Sequence, residues 1–290
     1  MADTKTNDAL ARIQARALEA QQRQEGKAAE TPRQMFLPGL EEFMRAMPNH
    51  IARSSLFAPV ARGRKRMHKD TVLVSRADAE IRFWGEQLDE AQADVWLQAM
   101  HEASKQPLGT PVVITRAAFL KAIGRTTGKN DYEWLNRSME SLAFAMLVIE
   151  VKKPDGQHKL AIGRTRALHL IEGFDYDDGA EAYTLRIDPR WHGLYGNREF
   201  ALIDWDKRLQ IGRGQDMAKA LQRLVATSDE TIQRYALDWL KSKLGYSGRM
   251  RDFQDALERA MRELERLEII AAGRIEASSK GKKQAVWGKL

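Results

Sequence analysis

An α+β fold of two tandem units behind a loose N-terminal arm is what this sequence predicts, and three observations predict it. Ser247 to Lys283 reads as an amphipathic helix with an arginine-rich outer face that runs into a basic two-stranded hairpin. A comparable order of helix, strand, helix, turn, helix and hairpin occurs once before it, without sequence repetition. Ahead of both lies a stretch poor in large apolar residues and then rich in proline.

In chain order, residues 1 to about 33 hold only Leu10, Ile13 and Leu18 as large apolar residues. So little burial does not offset the entropy of ordering, and the segment reads as disordered or a lone frayed helix. Pro32, Pro38, Pro48 and Pro59, half of the 8 prolines, follow before Asp70, with Arg62, Arg64, Lys65 and Arg66 among them. That density predicts an extended arm, giving 1–69 as arm. The basic cluster suits a phosphate backbone or simply a solvated linker.

The first unit, 70–203, opens on a strand at Val72, Leu73 and Val74, after which Ile81, Phe83 and Leu88 lead into a helix. Asp89 is placed to cap it, with Val95, Trp96, Ala99 and Met100 inward to about Ser104. Pro111 to Thr115 is β-branched and reads as a strand. Thr115 precedes a helix with Phe119, Leu120 and Ile123 that Gly124 ends. After the polar turn, a helix from about Asn130 to Ala145 turns Leu135, Met139 and Leu142 inward and Lys129, Asn130, Glu133 and Arg137 outward. Strands at Leu147 to Lys152 and Lys159 to Gly163 are joined by Pro154-Asp155-Gly156, a strong hairpin signal. A further alternating pair is Leu168 to Glu172 with Ala182 to Ile187.

The second unit, 204–290, has one helix at Met217 to Ala226 and another at Ile232 to Leu240, then a turn at Gly245 to Gly248. Met250, Phe253, Leu257, Met261 and Leu264 recur at spacings of three and four, the period of one helical face. At about 100° per residue the opposite face carries Arg251, Asp255, Arg259, Arg262 and Arg266. Ile269 and Ile270 open a strand, and Ser278 to Lys283 makes a turn loaded with Lys280, Lys282 and Lys283. Two winged helix-turn-helix domains in tandem is the fold expected from this order.

At 290 residues with 43% hydrophobic content the chain can build two ordinary cores. Lys plus Arg exceed Asp plus Glu by 47 to 40, a formal +7 that favours a polyanionic partner. With 0 cysteines, disulfides and thiolate metal sites are excluded, and the cytoplasm is the expected compartment. The N-terminus lacks the apolar run of a signal peptide, and no stretch approaches the roughly 20 apolar residues of a membrane span.

Enzyme chemistry finds no constellation. The 6 histidines, at 50, 68, 101, 158, 169 and 192, include no pair at helical metal spacing. Gly212-Arg213-Gly214 is too short for a phosphate loop and lacks its lysine. Asp175, Asp177 and Asp178 read as loop charge and Tyr195 as packing. No catalytic residue, metal or cofactor is expected.

Ala46-Met47-Pro48-Asn49-His50-Ile51-Ala52-Arg53-Ser54-Ser55-Leu56-Phe57 looks like the N-terminal signature of the TrfA family of plasmid replication initiators. Phe83-Trp84-Gly85-Glu86-Gln87-Leu88-Asp89, Asp94-Val95-Trp96 and Pro107-Leu108-Gly109 resemble the same pattern, so the likeness covers most of 45–290. The resemblance implies binding to iterons, the direct repeats of an origin, opening of adjacent duplex and recruitment of host factors. Implied partners are double-stranded iteron DNA, single-stranded origin DNA, and the host replicative helicase and initiator, with a homodimer in equilibrium with monomer. Two other readings share the modules: a transcriptional repressor, and a partition or nucleoid-type protein with little sequence preference.

For DNA, Arg251 near the helix start suits bidentate contact to guanine, while Arg259 and Arg262 suit phosphate, with the roles exchangeable. Lys280, Lys282 and Lys283 are phosphate candidates. The alternatives are a face paired internally with Asp255, Glu258 and Glu263, and a merely solubilising turn. Arg125, Lys129, Asn130 and Arg137 form the equivalent set of the first unit, whose other use is dimerisation. Gln34-Met35-Phe36-Leu37-Pro38 resembles the peptide by which bacterial proteins dock on the sliding clamp; its alternative is a hydrophobic anchor onto the first unit.

Overall fold

The computed structural model describes residues 37, 41–60, 65–152, 157–196 and 199–290, a mixed helix and strand chain. Gln34, Met35, Phe36, Pro38, Arg62, Arg64 and the Pro154-Asp155-Gly156 turn lie outside the described residues.

The expected arm departs from the structure where it is described. Strand β1 (Met44–Pro48) pairs antiparallel with β10 (Phe200–Asp204), and α1 (Asn49–Ala52) follows it directly. Met47, Ile51, Leu56 and Phe57 are fully buried, and Leu37 joins the same core. Their apolar surface outweighs the proline signal, because Pro48 ends a strand and begins a helix, where a missing N–H costs little.

Strands β2 (Met67–Val72) and β3 (Ala79–Glu86) form a hairpin; β3 continues to β5 (Met146–Lys152) and β6 (His158–Ile162), and β7 (Leu168–His169) also pairs with β5. Ala79, Ile81, Phe83, Leu147, Ile149 and Val151 alternate onto the buried face. Ile81 and Phe83 are therefore strand residues, not the approach to a helix. Of the further pair expected at 168–172 and 182–187 only the end forms, Glu172 N–H donating to Arg186 O at 2.9 Å, since β5 captures Leu168–His169 and the main partner of 182–186 is 173–177.

Helix α2 (Glu90–Ser104) begins at Asp89, whose side chain accepts from the Gln92 N–H at 2.9 Å while Gln92 Oε1 accepts from the Asp89 N–H at 3.1 Å. This capping box serves two otherwise orphaned donors. Inward, Trp96 stands 5.8 Å from Phe57 and 5.1 Å from Trp191, and its Nε1 donates to Leu170 O at 3.1 Å. Asp89→Ala is expected to cost about 1 kcal/mol in urea unfolding, the usual worth of an N-cap.

Two stretches then share one topology. In the first, α2 is followed by β4 (Val112–Thr115), α3 (Arg116–Ala122), α4 (Lys129–Phe144) and, after β5 to β7, the hairpin β8 (Gly173–Asp177) and β9 (Ala182–Arg186), in the sheet order β4-β9-β8. Thr115 caps α3 through the Ala118 N–H, and Gly124 leaves it at φ +72°. After α5 (Trp205–Gln210), the second runs α6 (Asp216–Val225), β11 (Ile232–Ala236), α7 (Leu237–Lys243), α8 (Met250–Arg266), β12 (Ile270–Ala277) and β13 (Lys283–Lys289), in the sheet order β11-β13-β12.

Two expectations are corrected here. Residues 232–240 are a strand and then a short helix, because β11 pairs along β13 and Gln233 bonds Trp287 Nε1 at 3.1 Å. The hairpin topologically equivalent to β12–β13 is β8–β9, not β5–β6, which belongs to the separate sheet on β3.

The described residues form one compact unit with two apolar cores, one ending at Trp205 and the other starting at Ile211. Between them runs a buried ionic seam. Glu90, Arg208 and Arg223 are wholly buried; Glu90 sits 3.1 Å from Arg208 Nη2 and also pairs with Arg223. Asp94 holds Arg208 Nε and Lys219 Nζ, each at 2.5 Å. Burial pushes the Asp94 carboxyl up, but Arg208 and Lys219 bring it to a net value below the ordinary range. Arg223 also donates to Phe57 O at 3.1 Å, so α2, α5 and α6 are tied across the seam.

Candidate nucleic-acid interface

Helix α8 owes its orientation to its sequence period. Phe253, Leu257, Ala260, Met261 and Leu264 are buried against α6 and β12. Arg251, Asp255, Arg259 and Arg262 are left exposed on the other side. Among the described residues no ion pair or hydrogen bond engages the three guanidiniums, so internal pairing does not use up this face. Glu263, one of the expected internal partners, is taken by Arg266 at 2.9 Å. That bond lowers the Glu263 carboxyl to about 2, against partial burial and with help from the Gly212 N–H. Arg266 also donates to Gln210 O at 3.0 Å and is thereby withdrawn from the outward set.

The β12–β13 turn is built by short-range bonds. Ser278 N–H donates to Lys282 O and Gly281 N–H to Ser278 O, both at 2.8 Å, with Gly281 at φ +73°, a conformation that a Cβ would strain. Lys280, Lys282 and Lys283 are exposed on it. Lys283 Nζ donates to Gln254 Oε1 at 3.1 Å, fastening the hairpin to α8. At the far end Gly273 N–H donates to Glu265 Oε1 at 2.7 Å, where the strand bulges between Ala271 and Arg274. The Lys283–Gln254 bond therefore sets the lysine-bearing hairpin beside the helix that carries the arginines.

The equivalent surface of the first stretch differs. Arg125 is paired to Asp131 at 3.1 Å and lies 3.3 Å over the Trp134 ring, so its guanidinium is committed within the fold. Lys129, Asn130 and Arg137 are exposed, and the cations of Lys129 and Arg137 have no partner among the described residues. The β8–β9 hairpin carries Asp175, Asp177, Asp178 and Glu181 where the later one carries lysines. An acidic tip repels a phosphate backbone. Glu133 adds a carboxylate to the same side.

Other sequence candidates resolve as packing. Tyr195 is buried, donates to Ala46 O at 3.2 Å, and burial raises its hydroxyl far above the usual phenol value. Leu37, the one described residue of 34–38, is packed in the first core. Among the described residues no cluster of three or more histidines and carboxylates is placed to hold a metal, and no helix is long and apolar enough to cross a membrane. The seam of Glu90, Asp94, Arg208 and Arg223 was not anticipated; nothing local distinguishes those residues from surface charge.

No protein-family model matches the chain, and no curated protein matches it. Among solved structures it is similar to domains 2 and 3 of RctB, determined as selenomethionine derivatives, with a TM-score of 0.53 and 12% identity over 84% of this chain and 98% of that one. A second crystal structure of RctB domains 2–3 aligns with a TM-score of 0.46 and 11% identity over 83% and 97% of the two chains. The first of these establishes a shared fold.

Proposed function

We propose that this protein is a replication initiator that grips repeated origin sites through α8 and the β12–β13 hairpin. The observation that carries the reading is the arginine face of α8, unpaired among the described residues and joined to a lysine-bearing hairpin by the Lys283–Gln254 bond. Two further lines support it: the resemblance of 46–57 to the TrfA signature, and the fold shared with RctB domains 2 and 3. On this reading each α-β-α-α-β-β stretch is a winged helix-turn-helix module, and the second is the principal reader.

In a major groove the first turns of α8 meet base edges, and Arg251 is placed to fork onto guanine O6 and N7. Asp255, one turn later, suits the amino group of cytosine. Arg259, Arg262, Lys280 and Lys282 take phosphates, fixing register rather than sequence. Lys283 contributes beside them, at the start of β13.

Arg251→Ala is expected to weaken binding to the protein's own repeat by about 1–3 kcal/mol and relax preference at one base position. Titration of the repeat and a scrambled duplex checks this; an equal loss on both makes Arg251 a phosphate contact. Origin opening separates initiation from repression: single-strand-specific nuclease sensitivity beside the repeats rises with added protein only for an initiator.

A further inference from the structure

Helix α5 and the loop that follows it touch both stretches at once. On one side Trp205 Nε1 donates to Ala122 O at 2.9 Å, at the end of α3, and a Cβ on Gly124 would lie 3.2 Å from Leu209 Cδ2. On the other, Gln210 O accepts from Arg266 Nη2 and Gly212 N–H donates to Glu263 Oε1, both at 3.0 Å. The Gly212-Arg213-Gly214 loop is thereby held against the last turn of α8. Arg213 is exposed and makes no ion pair or hydrogen bond among the described residues. Across the loop stands Asp131, in the first turn of α4. Its carboxyl is held below the ordinary value first by the Thr126 hydroxyl, against slight burial, then by Arg125, and also by the charge of Arg213. Thr126 and Arg125 take the bonds to that carboxylate, so the Arg213 guanidinium stays free to meet another anion.

We infer that Arg213 is a further contact for duplex DNA, taking a backbone phosphate where the strand leaves α8 toward the first stretch. This rests on α8 being the DNA reader. From Arg251 to Glu263 is about 18 Å along the helix axis, at 1.5 Å per residue. The phosphate held at the loop is therefore several nucleotides away from the base that Arg251 meets. Arg259 and Arg262 lie between them in sequence on the outward face, so the row of arginines leads to this loop. A guanidinium fork matches phosphate oxygens, and the flanking glycines carry no side chain to screen a strand. A Cβ on Gly214 would meet nothing within 4 Å, so that side of the loop is open. The two nearby carboxylates are already compensated, Glu263 by Arg266 and Asp131 by Arg125. Because α5 is fastened on both sides, the fold and not a loose linker sets the distance from α8 to Arg213. Such a contact fixes register and reads no base.

The test titrates the full chain with its own repeat and with a scrambled duplex over a series of salt concentrations. Arg213→Ala is expected to weaken both duplexes by the same factor and to reduce the slope of log affinity against log salt by about 0.9, the share of one phosphate. Arg213→Lys keeps the charge and should keep the slope. Ethylation interference on the repeat should lose one phosphate in Arg213→Ala, outside the base position that Arg251→Ala relaxes. The side chain makes no bond within the described fold, so the alanine variant should fold as wild type does. An unchanged slope and interference pattern in Arg213→Ala, while Arg251→Ala still weakens the repeat, overturns this inference alone. A loss confined to the repeat would make Arg213 a base contact and overturns the phosphate assignment. Wild-type protein without preference for the repeat overturns the reading of α8, and this inference with it.

Discussion

Glu90→Ala is expected to destabilise the protein by about 3–5 kcal/mol, the usual cost of removing one partner from a buried ion cluster. Glu90 opens α2 with no solvent exposure and faces Arg208 and Arg223, which are equally buried. Without it Arg223 keeps Phe57 O, the Phe57 ring 5.6 Å away and a contact with the Met47 sulfur, and Arg208 keeps Asp94 and neutral acceptors. One uncompensated cation is then sealed between two apolar cores, where water cannot relieve it. Glu90→Gln preserves shape and accepting oxygen but not charge, and should fall between wild type and alanine. Urea unfolding followed by tryptophan fluorescence measures both. Because each core has its own apolar set, the alanine variant should also broaden or split the transition. A loss below about 1 kcal/mol would show that solvent reaches the seam.

What could be read from sequence was local or periodic. The spacing of Phe253, Leu257, Met261 and Leu264 fixed the inner face of α8, and with it the outward position of Arg251, Arg259 and Arg262. Asp89 and Thr115 were readable as caps because capping is settled within four residues. Long-range pairing was not readable. Tyr235, Ala236, Trp239 and Leu240 fit a helical spacing, yet β13, some fifty residues later, draws 232–236 into a strand. The Asp-Gly signal advertised β5–β6, while the hairpin equivalent to the basic one was β8–β9, whose acidic tip changes what that surface can hold. Arg208 and Arg223 look like solvated helix charges until α2 is seen to cover them.

Lys243→Met is expected to stabilise the protein, and more so in acid than in base. The side chain ends α7 fully buried beside the seam, and its ammonium nitrogen has no hydrogen-bond partner among the described residues. Burial lowers the amine from 10.5 to about 7; the charge on Arg223 pushes it the same way and Glu90 opposes them. Below about 7 both folded and unfolded chains hold the proton, and the folded state bears the full penalty of a sealed charge. Between about 7 and 10.5 only the unfolded chain holds it, so stability contributed by this group rises with pH and levels off above that window. Methionine has similar length, no charge and no unmet donor. The gain should be about 1–4 kcal/mol near pH 6, as for other buried charges exchanged for apolar groups, and should shrink toward pH 9. Urea midpoints of both proteins at the two pH values check the size and the sign. A methionine variant that is less stable than wild type at pH 6 would mean that Lys243 has a partner holding its charge. The seam would then contain a compensated cation, and the pH slope assigned to this residue would have to arise elsewhere.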